Sequence, residues 1–254
     1  MSAIGSGPKV AAVVPSYNAE RTVGRVVAGL ASSCSLVVVV DDGSGDGTAE
    51  AAVRAGAQVV RHERNRGLGA ALRTGFAAVL AHPCDIVVTL DSDGQHEPED
   101  VSRVIERLVA NHCDVVIGSR LLDRSQFRRF PPLRLVGNLM LTSMTNLAAS
   151  RRVTSDSQSG YRAFRREVLE RCRLTSDRMA ISSEIVLEAA ALGCRVVDVP
   201  IAATYGEEIS YQRLFADPMA IAWLLLKRGV ERRRPPVTPL APDPVPAREE
   251  ARAG

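Results

Sequence analysis

Short apolar runs rich in valine alternate along the chain with longer segments in which apolar residues recur every three or four positions. The runs carry few polar positions, a pattern typical of strands buried on both faces of a mostly parallel sheet. The longer segments have the period of amphipathic helices that pack on such a sheet. The pattern therefore predicts a three-layer α/β domain. Strands are expected at residues 10–14, 36–40, 58–60, 86–90 and 115–117, and helices at residues 21–30, 48–55, 70–81, 98–110 and 184–192.

The composition indicates one enzyme-sized domain followed by a tail. The chain has 254 residues, of which 46% are hydrophobic and 24% charged, enough for a full hydrophobic core. Residues 1–8 are expected to be flexible and residues 9–229 to form the domain. Residues 230–254, basic and then rich in proline, are expected to be disordered. The apolar stretch at 219–226 has two open interpretations, a last core helix or an interfacial helix with Trp223 among lipid headgroups.

The charge of the chain indicates which kinds of molecule it can bind, and its cysteine content indicates the redox state of its compartment. A net charge of +3 is too small to indicate a nucleic-acid-binding protein, and none is predicted. The segment from Arg120 to Arg152 nevertheless holds seven arginines and one acid, so we expect it to face an anionic group. Five scattered cysteines without a C-x-x-C pair favour a reducing compartment. Because no apolar stretch reaches the roughly 20 residues that cross a bilayer, we expect a cytoplasmic protein, peripheral at the inner face of the membrane if it binds one.

Two acids follow the fourth predicted strand, at the edge where sheets of this kind bind ligands. Asp91 and Asp93 stand at alternate positions, so in an extended segment their carboxylates would point to the same side and could share Mg²⁺ or Mn²⁺. The other interpretation is an Asx-turn ahead of the helix predicted from residue 98. The residues alone leave both open.

A second pair of acids follows the second predicted strand. Asp41 and Asp42 could accept ribose hydroxyls or a base N–H, or could form a turn and cap the helix that begins near Thr48. The glycines that follow do not make a dinucleotide-binding loop, because G-x-G-x-x-G is not met and acids that precede glycines would repel a pyrophosphate.

Six segments in order along the chain resemble motifs of the family 2 glycosyltransferases of the nucleotide-sugar-binding GT-A type. The segments are VVPSYNAE at 13–20, VVVVDDGSGDGT at 37–48, NRGLGAALRTG at 65–75, TLDSDGQHEPED at 89–100, VIGSR at 116–120 and DSQSGYRAF at 156–164. Among these enzymes the chain is most similar to the polyprenyl-phosphate, or dolichol-phosphate, sugar transferases. The resemblance implies a Rossmann-like GT-A fold and an inverting, metal-dependent transfer of a hexose from a nucleoside diphosphate sugar to a polyprenyl phosphate.

The resemblance also implies roles for individual residues at the donor end. The nucleoside would be held by Pro15, Tyr17, Glu20, the backbone at Val40, and Asp42. The metal ion and the diphosphate would be surrounded by Asp91, Ser92, Asp93 and Gln95, with Asp91, Asp93 and Gln95 as metal ligands. Relatives often carry two acids where this chain has Ala19 and Glu20, so the preferred nucleobase stays open.

At the acceptor end the resemblance implies that Arg120 and Arg134 bind the phosphate of a lipid. A hydroxyl acceptor would instead need a general base, for which Glu184 and Asp156 are candidates. The chain departs from the pattern at Asn138, where relatives often have serine, and at 205–210, which replaces a basic motif.

Several alternatives remain open at this point. The 156–162 segment could be a tight turn into a strand or, as the resemblance favours, a loop that closes over the donor sugar. The acceptor could be soluble and carry a hydroxyl, and less favoured functions are a sugar nucleotidyltransferase and a silent nucleotide-sugar sensor. Among the histidines, His62, His82 and His112 are expected at the surface or at helix ends.

Overall fold

A seven-stranded sheet lies at the centre of the computed structural model, which describes residues 7–94, 100–110, 112–123 and 130–202. The strands are β1 (Val10–Ser16), β2 (Leu36–Asp41), β3 (Gln58–Arg61), β4 (Ile86–Thr89), β5 (Val115–Ser119), β6 (Arg162–Arg165) and β7 (Val196–Pro200). The helices are α1 (Val23–Leu30), α2 (Thr48–Arg54), α3 (Leu68–Leu80), α4 (Asp100–Ala110), α5 (Pro132–Ala148), α6 (Arg166–Arg171) and α7 (Ile181–Ala191).

The strand order is β3-β2-β1-β4-β6-β5-β7, and only β6 runs antiparallel to its neighbours among these seven strands. From β1 the chain moves outward to β2 and β3 and then returns to place β4 on the other side of β1. The strand order therefore reverses between β1 and β4. In open α/β sheets, ligands bind at such a reversal, beyond the carboxyl ends of the strands.

Apolar layers cover both faces of the sheet, as the valine-rich runs predict. Successive residues of β1 point to opposite sides, so Val13 packs in the layer that contains Phe76 of α3, whereas Val14 packs in the layer that contains Val26 of α1 and Val104 of α4. Full burial of each such side chain contributes about 1.5–3 kcal/mol relative to exposure. This two-sided burial explains why the strands lack the alternation of a half-exposed sheet.

All five predicted strands are present, and each predicted helix has an observed counterpart. The pattern did not predict β6, β7, α5 or α6. The predicted start of α4 at residue 98, together with Gln95, lies outside the described residues, as do residues 1–6 and 203–254. The interpretations of 205–210, 219–226 and the tail at 230–254 are thus not addressed by the structure. No helix among the described residues is long and apolar enough to cross a membrane.

Candidate active site

The acidic turn, residues 91–94, follows β4 at the reversal of the strand order. Because β4 ends at Thr89, the expectation that Asp91 and Asp93 continue an extended strand is wrong. The turn is fixed from α1 and the residue before it: Thr22 Oγ1 donates a hydrogen bond to the carbonyl of Ser92 at 2.6 Å, and Arg25 Nη2 donates to the carbonyl of Gly94 at 3.2 Å. The turn after β4 is therefore held against the start of α1.

Asp91 lies partly buried in this turn among charged groups of both signs. Burial of the carboxylate and, next, the negative charge of Asp93 raise the pKa of Asp91 to about 6, and the cations Arg120 and Arg162 oppose this rise. Two neighbouring carboxylates repel each other, and a divalent cation between them would remove this repulsion. Their oxygens are also the kind of ligand that Mg²⁺ and Mn²⁺ prefer. The residues present therefore fit Mg²⁺ or Mn²⁺.

The acidic turn supplies two carboxylates, not a complete set of ligands. Within the described ranges no group of three or more His, Cys, Asp or Glu residues is arranged to hold a metal ion. This is the composition expected where diphosphate oxygens and water complete the coordination of Mg²⁺, which is usually bound through one or two protein carboxylates.

The exits of β1 and β2 meet beside the acidic turn. Ser44 Oγ accepts a hydrogen bond from the amide of Asn18 at 2.9 Å, and the Asn18 side-chain oxygen accepts one from the amide of Gly45 at 3.0 Å. Tyr17, in the exit of β1, keeps 42% of its surface exposed, so its ring is accessible to a ligand. Glu20 is also exposed and accepts a hydrogen bond from the amide of Gly47 at 3.3 Å.

The remaining residues implied to contact a nucleoside sit inside the sheet. Pro15 and Val40 are paired in register on β1 and β2 and both are buried, so they form the floor of this corner. Of the two interpretations given above for Asp41, its contacts are those of a residue that forms a turn. Its Oδ1 accepts a hydrogen bond from the amide of Ser44 at 2.9 Å, and its Oδ2 lies 3.1 Å from Nε of Arg61.

Asp42 is buried and its carboxylate is occupied from within the protein. It accepts hydrogen bonds from the amides of Arg66 at 2.9 Å and Gly67 at 2.7 Å, and from Nδ1 of His62 at 2.6 Å. The other ring nitrogen of His62 lies 3.0 Å from Oγ1 of Thr74. The expectation of a surface position for His62 is wrong, because the residue is only 7% exposed. Asp42 thereby fixes the loop that leads into α3, and its contact with a nucleoside stays a prediction.

Arg120 follows β5 and forms a buried ion pair with Asp156. Its Nε and Nη2 donate to the two carboxylate oxygens of Asp156 at 2.8 and 3.0 Å, and the guanidinium lies 6.0 Å from the centre of the Phe130 ring. The Arg120 guanidinium, together with hydrogen bonds, keeps the pKa of Asp156 below its usual range despite the burial that opposes this. Asp156 is thus an anionic partner of Arg120 and does not have the raised pKa of a general base.

Glu184, the other candidate base, lies buried at the start of α7. Its carboxylate accepts hydrogen bonds from the amides of Thr175 and Ser176 and from the hydroxyl of Thr175, at 2.8–3.1 Å. Burial raises the pKa, but these donors outweigh it and the pKa of Glu184 falls below its ordinary value. Such a carboxylate fixes the chain ahead of α7. A general base works best with a pKa near the working pH, which the lowered pKa of Glu184 does not favour, and a catalytic role for Glu184 stays a prediction.

Arg134 stands in the first turn of α5 and is partly exposed. The helix follows Phe130 by two residues, and Phe130 lies beside the Arg120 guanidinium, so the first turn of α5 adjoins the Arg120 ion pair. The two arginines expected at the acceptor end therefore belong to one region of the protein.

The segment at 156–162 forms a turn that leads into β6, and its closing over a donor sugar stays a prediction. It is packed inside the protein, with Asp156, Ser157 and Ser159 fully buried. It also ends in a buried cation, Arg162, whose only signal in the sequence is its place in the DSQSGYRAF motif. Burial lowers the pKa of Arg162 to about 10, and the carboxylates of Asp156 and Asp91 oppose that change.

Known proteins resemble this chain in both sequence and fold. Residues 11–173 match the family described as "Glycosyl transferase family 2". The chain is 32% identical over 215 residues to the UDP-N-acetylglucosamine–dolichyl-phosphate N-acetylglucosaminyltransferase of Methanococcus voltae. This match covers 77% of this chain and 85% of that protein. It is 34% identical over 206 residues to the polyprenol monophosphomannose synthase of Mycolicibacterium smegmatis, with 77% of each chain covered.

The fold is similar to that of a solved glucosyl-3-phosphoglycerate synthase from Mycobacterium tuberculosis, in complex with Mn²⁺ and UDP-glucose. The TM-score is 0.71 at 22% sequence identity, and the match covers 88% of this chain and 80% of that one. The predicted three-layer GT-A architecture with a mostly parallel sheet is confirmed.

Proposed function

The chain belongs to glycosyl transferase family 2, and on this premise we propose that it transfers a hexose from a nucleoside diphosphate sugar to a polyprenyl phosphate. Two relatives above 30% identity are named for transfer to dolichyl phosphate and for synthesis of a polyprenol monophosphate sugar. The donor is a nucleoside diphosphate hexose whose diphosphate is bound with Mg²⁺ or Mn²⁺ at Asp91 and Asp93. The solved structure of similar fold holds Mn²⁺ and UDP-glucose.

The observation that carries the lipid acceptor is the reversed polarity of α5. The only residues of this 17-residue helix classed as buried are threonines, Thr142 and Thr145. Its outward side instead presents the outer apolar stripe, defined as Leu133, Val136, Leu139, Met140 and Leu147, which are 41–81% exposed. Inward, Leu141 and Ala148 add only partly buried apolar contacts to these threonines. A helix that exposes most of its large apolar side chains in this way is suited to a hydrocarbon surface.

Arginines lie at both ends of the helix that carries this apolar stripe. Arg134 lies in the first turn of α5, and Arg151 and Arg152 follow its last turn. Cations at both ends of an exposed apolar helix favour a surface of anionic lipid, at about 1 kcal/mol for each cation near the headgroups. The stripe therefore supports an acceptor that is presented by a membrane, with its phosphate next to Arg120 and Arg134.

The settings of the two candidate bases also favour a phosphate acceptor. Glu184 and Asp156 are both buried, both have a lowered pKa, and both bond internal donors. A sugar hydroxyl would need a base to remove its proton, whereas a phosphate monoester is already anionic at neutral pH and needs cations to position it. The phosphate oxygen attacks the anomeric carbon from the face opposite the diphosphate, so the configuration inverts.

At the donor end, this chain's residues bind and orient the leaving group. Asp91 and Asp93 stand in a turn whose backbone is fixed by Thr22 and Arg25, and they would hold a cation that neutralises charge on the departing nucleoside diphosphate. The exposed ring of Tyr17 is placed to contact the nucleobase. The choice of nucleobase would lie with the exposed corner around Tyr17 and Glu20, together with Asp42, whose carboxylate also bonds groups inside the protein.

A transfer assay tests this function. The protein is incubated with labelled UDP- and GDP-hexoses, Mn²⁺ and detergent-dispersed undecaprenyl or dolichyl phosphate, and the label is followed into the organic extract. We expect label in the lipid phase with one donor, no transfer after addition of EDTA, and recovery on excess Mn²⁺. Label that appears only in a water-soluble product would indicate the alternative, a soluble hydroxyl acceptor, and would contradict the lipid proposal.

Vesicle flotation tests the outer apolar stripe by itself. Changing Leu133, Met140 and Leu147 to serine should abolish flotation with anionic vesicles, because it removes most of the apolar area of α5. A matched control changes Val53 on α2 and Val109 on α4, which are 59% and 43% exposed, to serine. The control should float as the wild type does, and equal loss in both variants would contradict a specific role for α5.

A further inference from the structure

The 156–162 segment joins the two ends of the proposed active site. At its start, the Asp156 carboxylate holds Nε and Nη2 of Arg120 at 2.8 and 3.0 Å. Near its end, Gly160 lies so close to Asp91 that a Cβ at this position would overlap the carboxylate, and its carbonyl accepts a hydrogen bond from Thr89 Oγ1 at 2.7 Å. One short segment thus contacts the cation expected at the acceptor phosphate and the carboxylate expected at the metal ion.

Arg162 fixes this segment from inside the sheet. It is the first residue of β6, between β4 and β5, and is 3% exposed. Its Nη2 donates to the carbonyl of Ser157 at 2.8 Å and to the carbonyl of Ser182 in α7 at 3.0 Å. Its Nε is buried and has no hydrogen-bond acceptor in the part of the chain that the structure describes. The guanidinium therefore ties the segment to α7.

The burial of the Arg162 guanidinium is explained by two carboxylates that lie near it. Burial of a guanidinium carries a large desolvation cost unless carboxylates lie close. The carboxylates that stabilise the charge of Arg162 are Asp156 and Asp91, at the two ends of the segment, whereas Arg120 opposes it. The strand itself does not require a buried cation, because Arg165, also on β6, is partly exposed and donates its Nε to the carbonyl of Cys113 at 2.9 Å.

We propose that Arg162 is a positioning residue of the active site. Through Ser157 and Ser182 it fixes the 156–162 segment, so that Gly160 keeps the Asp91 carboxylate in place for the cation and Asp156 keeps Arg120 in place for the acceptor. Arg162 acts through these residues and contacts neither substrate. The inference rests on the proposed function, and it predicts that loss of one side chain disturbs the donor end and the acceptor end together.

The test compares Arg162→Gln and Arg162→Lys with Arg165→Gln, a matched control that removes a guanidinium-to-carbonyl bond from the same strand. Hydrogen exchange of the amides at 157–160 is measured without any ligand. The Mn²⁺ concentration for half-maximal binding of UDP, or of GDP if only GDP binds, is measured by calorimetry. Single-turnover transfer is measured last.

We expect Arg162→Gln to speed exchange at 157–160 about tenfold and to raise the Mn²⁺ concentration for half-maximal nucleotide binding by about tenfold, since removal of a residue that supports metal ligands typically weakens metal binding by about 10–100-fold. Arg162→Lys should give intermediate values, because an ammonium keeps the charge but lacks the planar fork that reaches two carbonyls. Arg165→Gln should keep wild-type values in both measurements.

Wild-type exchange and wild-type Mn²⁺ dependence in folded Arg162 variants would overturn the proposal. If Arg162→Gln does not fold, Arg162→Lys decides by the same two readouts. If the wild type shows no Mn²⁺-dependent nucleotide binding, the proposed function fails and the role of Arg162 fails with it. Wild-type binding together with unchanged variants removes only the role of Arg162.

Discussion

Replacing Gly160 by alanine should move the Asp91 carboxylate without unfolding the protein. Gly160 is not among the residues with a left-handed φ, so alanine can adopt its backbone conformation. The new Cβ would stand 2.5 Å from Cγ of Asp91, whereas ordinary contact begins near 3.4 Å. The carboxylate must therefore shift by about 1 Å, and a displacement of that size in a reacting centre can lower a rate by about 100-fold. We expect Gly160→Ala to lower kcat by this factor and to weaken Mn²⁺-dependent nucleotide binding.

The assay is single-turnover transfer, with Mn²⁺-dependent nucleotide binding and thermal unfolding measured on the same samples. Gly24→Ala is the control, because a Cβ on this α1 residue would meet only the carbonyl oxygen of Ala51 at 3.8 Å. This control should keep wild-type turnover and gain up to about 1 kcal/mol in stability, since alanine is favoured over glycine inside a helix. Wild-type turnover and metal dependence in Gly160→Ala would refute the reasoning that the position of Asp91 is critical.

Three further changes test the buried polar contacts. Glu184→Gln should lower the free energy of unfolding by about 2 kcal/mol at pH 7, because an amide cannot accept from all the donors at Thr175. Since the pKa of Glu184 is lowered on folding, its contribution is complete above the ordinary pKa of 4.5 and disappears as the pH falls through the lower folded value. Urea unfolding should therefore show the two proteins converging as the pH falls below that ordinary pKa. Asp156→Asn should cost about 3–5 kcal/mol in the same assay, since it leaves the Arg120 charge buried without its anion, and equal stability would contradict a tight ion pair. His62→Ala should cost about 1–3 kcal/mol, and a neutral result would show that its buried contacts contribute nothing.

The parallel part of the sheet could be predicted because its strands are apolar on both faces. β1, β2 and β4 are continuous runs of valine, alanine and isoleucine with buried residues throughout or nearly so. β6 could not be found in this way. Its sequence RAFR places arginine at both ends, and Arg162 is buried there only because Asp91 and Asp156 approach it from distant parts of the chain.

α5 escaped prediction for the opposite reason. The period of apolar residues indicates a helix when the apolar face is the one that packs on the protein. In α5 the fully buried residues are Thr142 and Thr145, which reach the hydroxyls of Ser157 and Ser183, and only Leu141 and Ala148 add partly buried apolar contacts, whereas most of its large apolar side chains face outward. The same inversion that hid the helix is the feature that supports its proposed contact with lipid.

The motifs predicted that the site residues lie at one edge of the sheet. They could not show which polar side chains form hydrogen bonds or ion pairs inside the protein. Asp42 is bonded by His62, twenty positions away along the chain, and Arg120 is bonded by Asp156, thirty-six positions away. Such pairs depend on how β3 and the 156–162 segment are placed by the whole sheet. The pairing of Asp91 with Asp93 could be read from the sequence, and their role as metal ligands stays a prediction. The buried cation near Asp91, Arg162, could not be found without the antiparallel strand β6.

The central claim, that Asp91 and Asp93 bind the nucleotide through a divalent cation, is tested most directly by calorimetric titration of UDP and GDP with and without Mn²⁺. The wild type should bind one of the two nucleotides in Mn²⁺ and neither in EDTA, and the double variant Asp91→Asn, Asp93→Asn should bind neither in Mn²⁺ while remaining folded. Equal nucleotide affinity in EDTA and Mn²⁺, or Mn²⁺-dependent binding of wild-type strength in the double variant, would contradict the account.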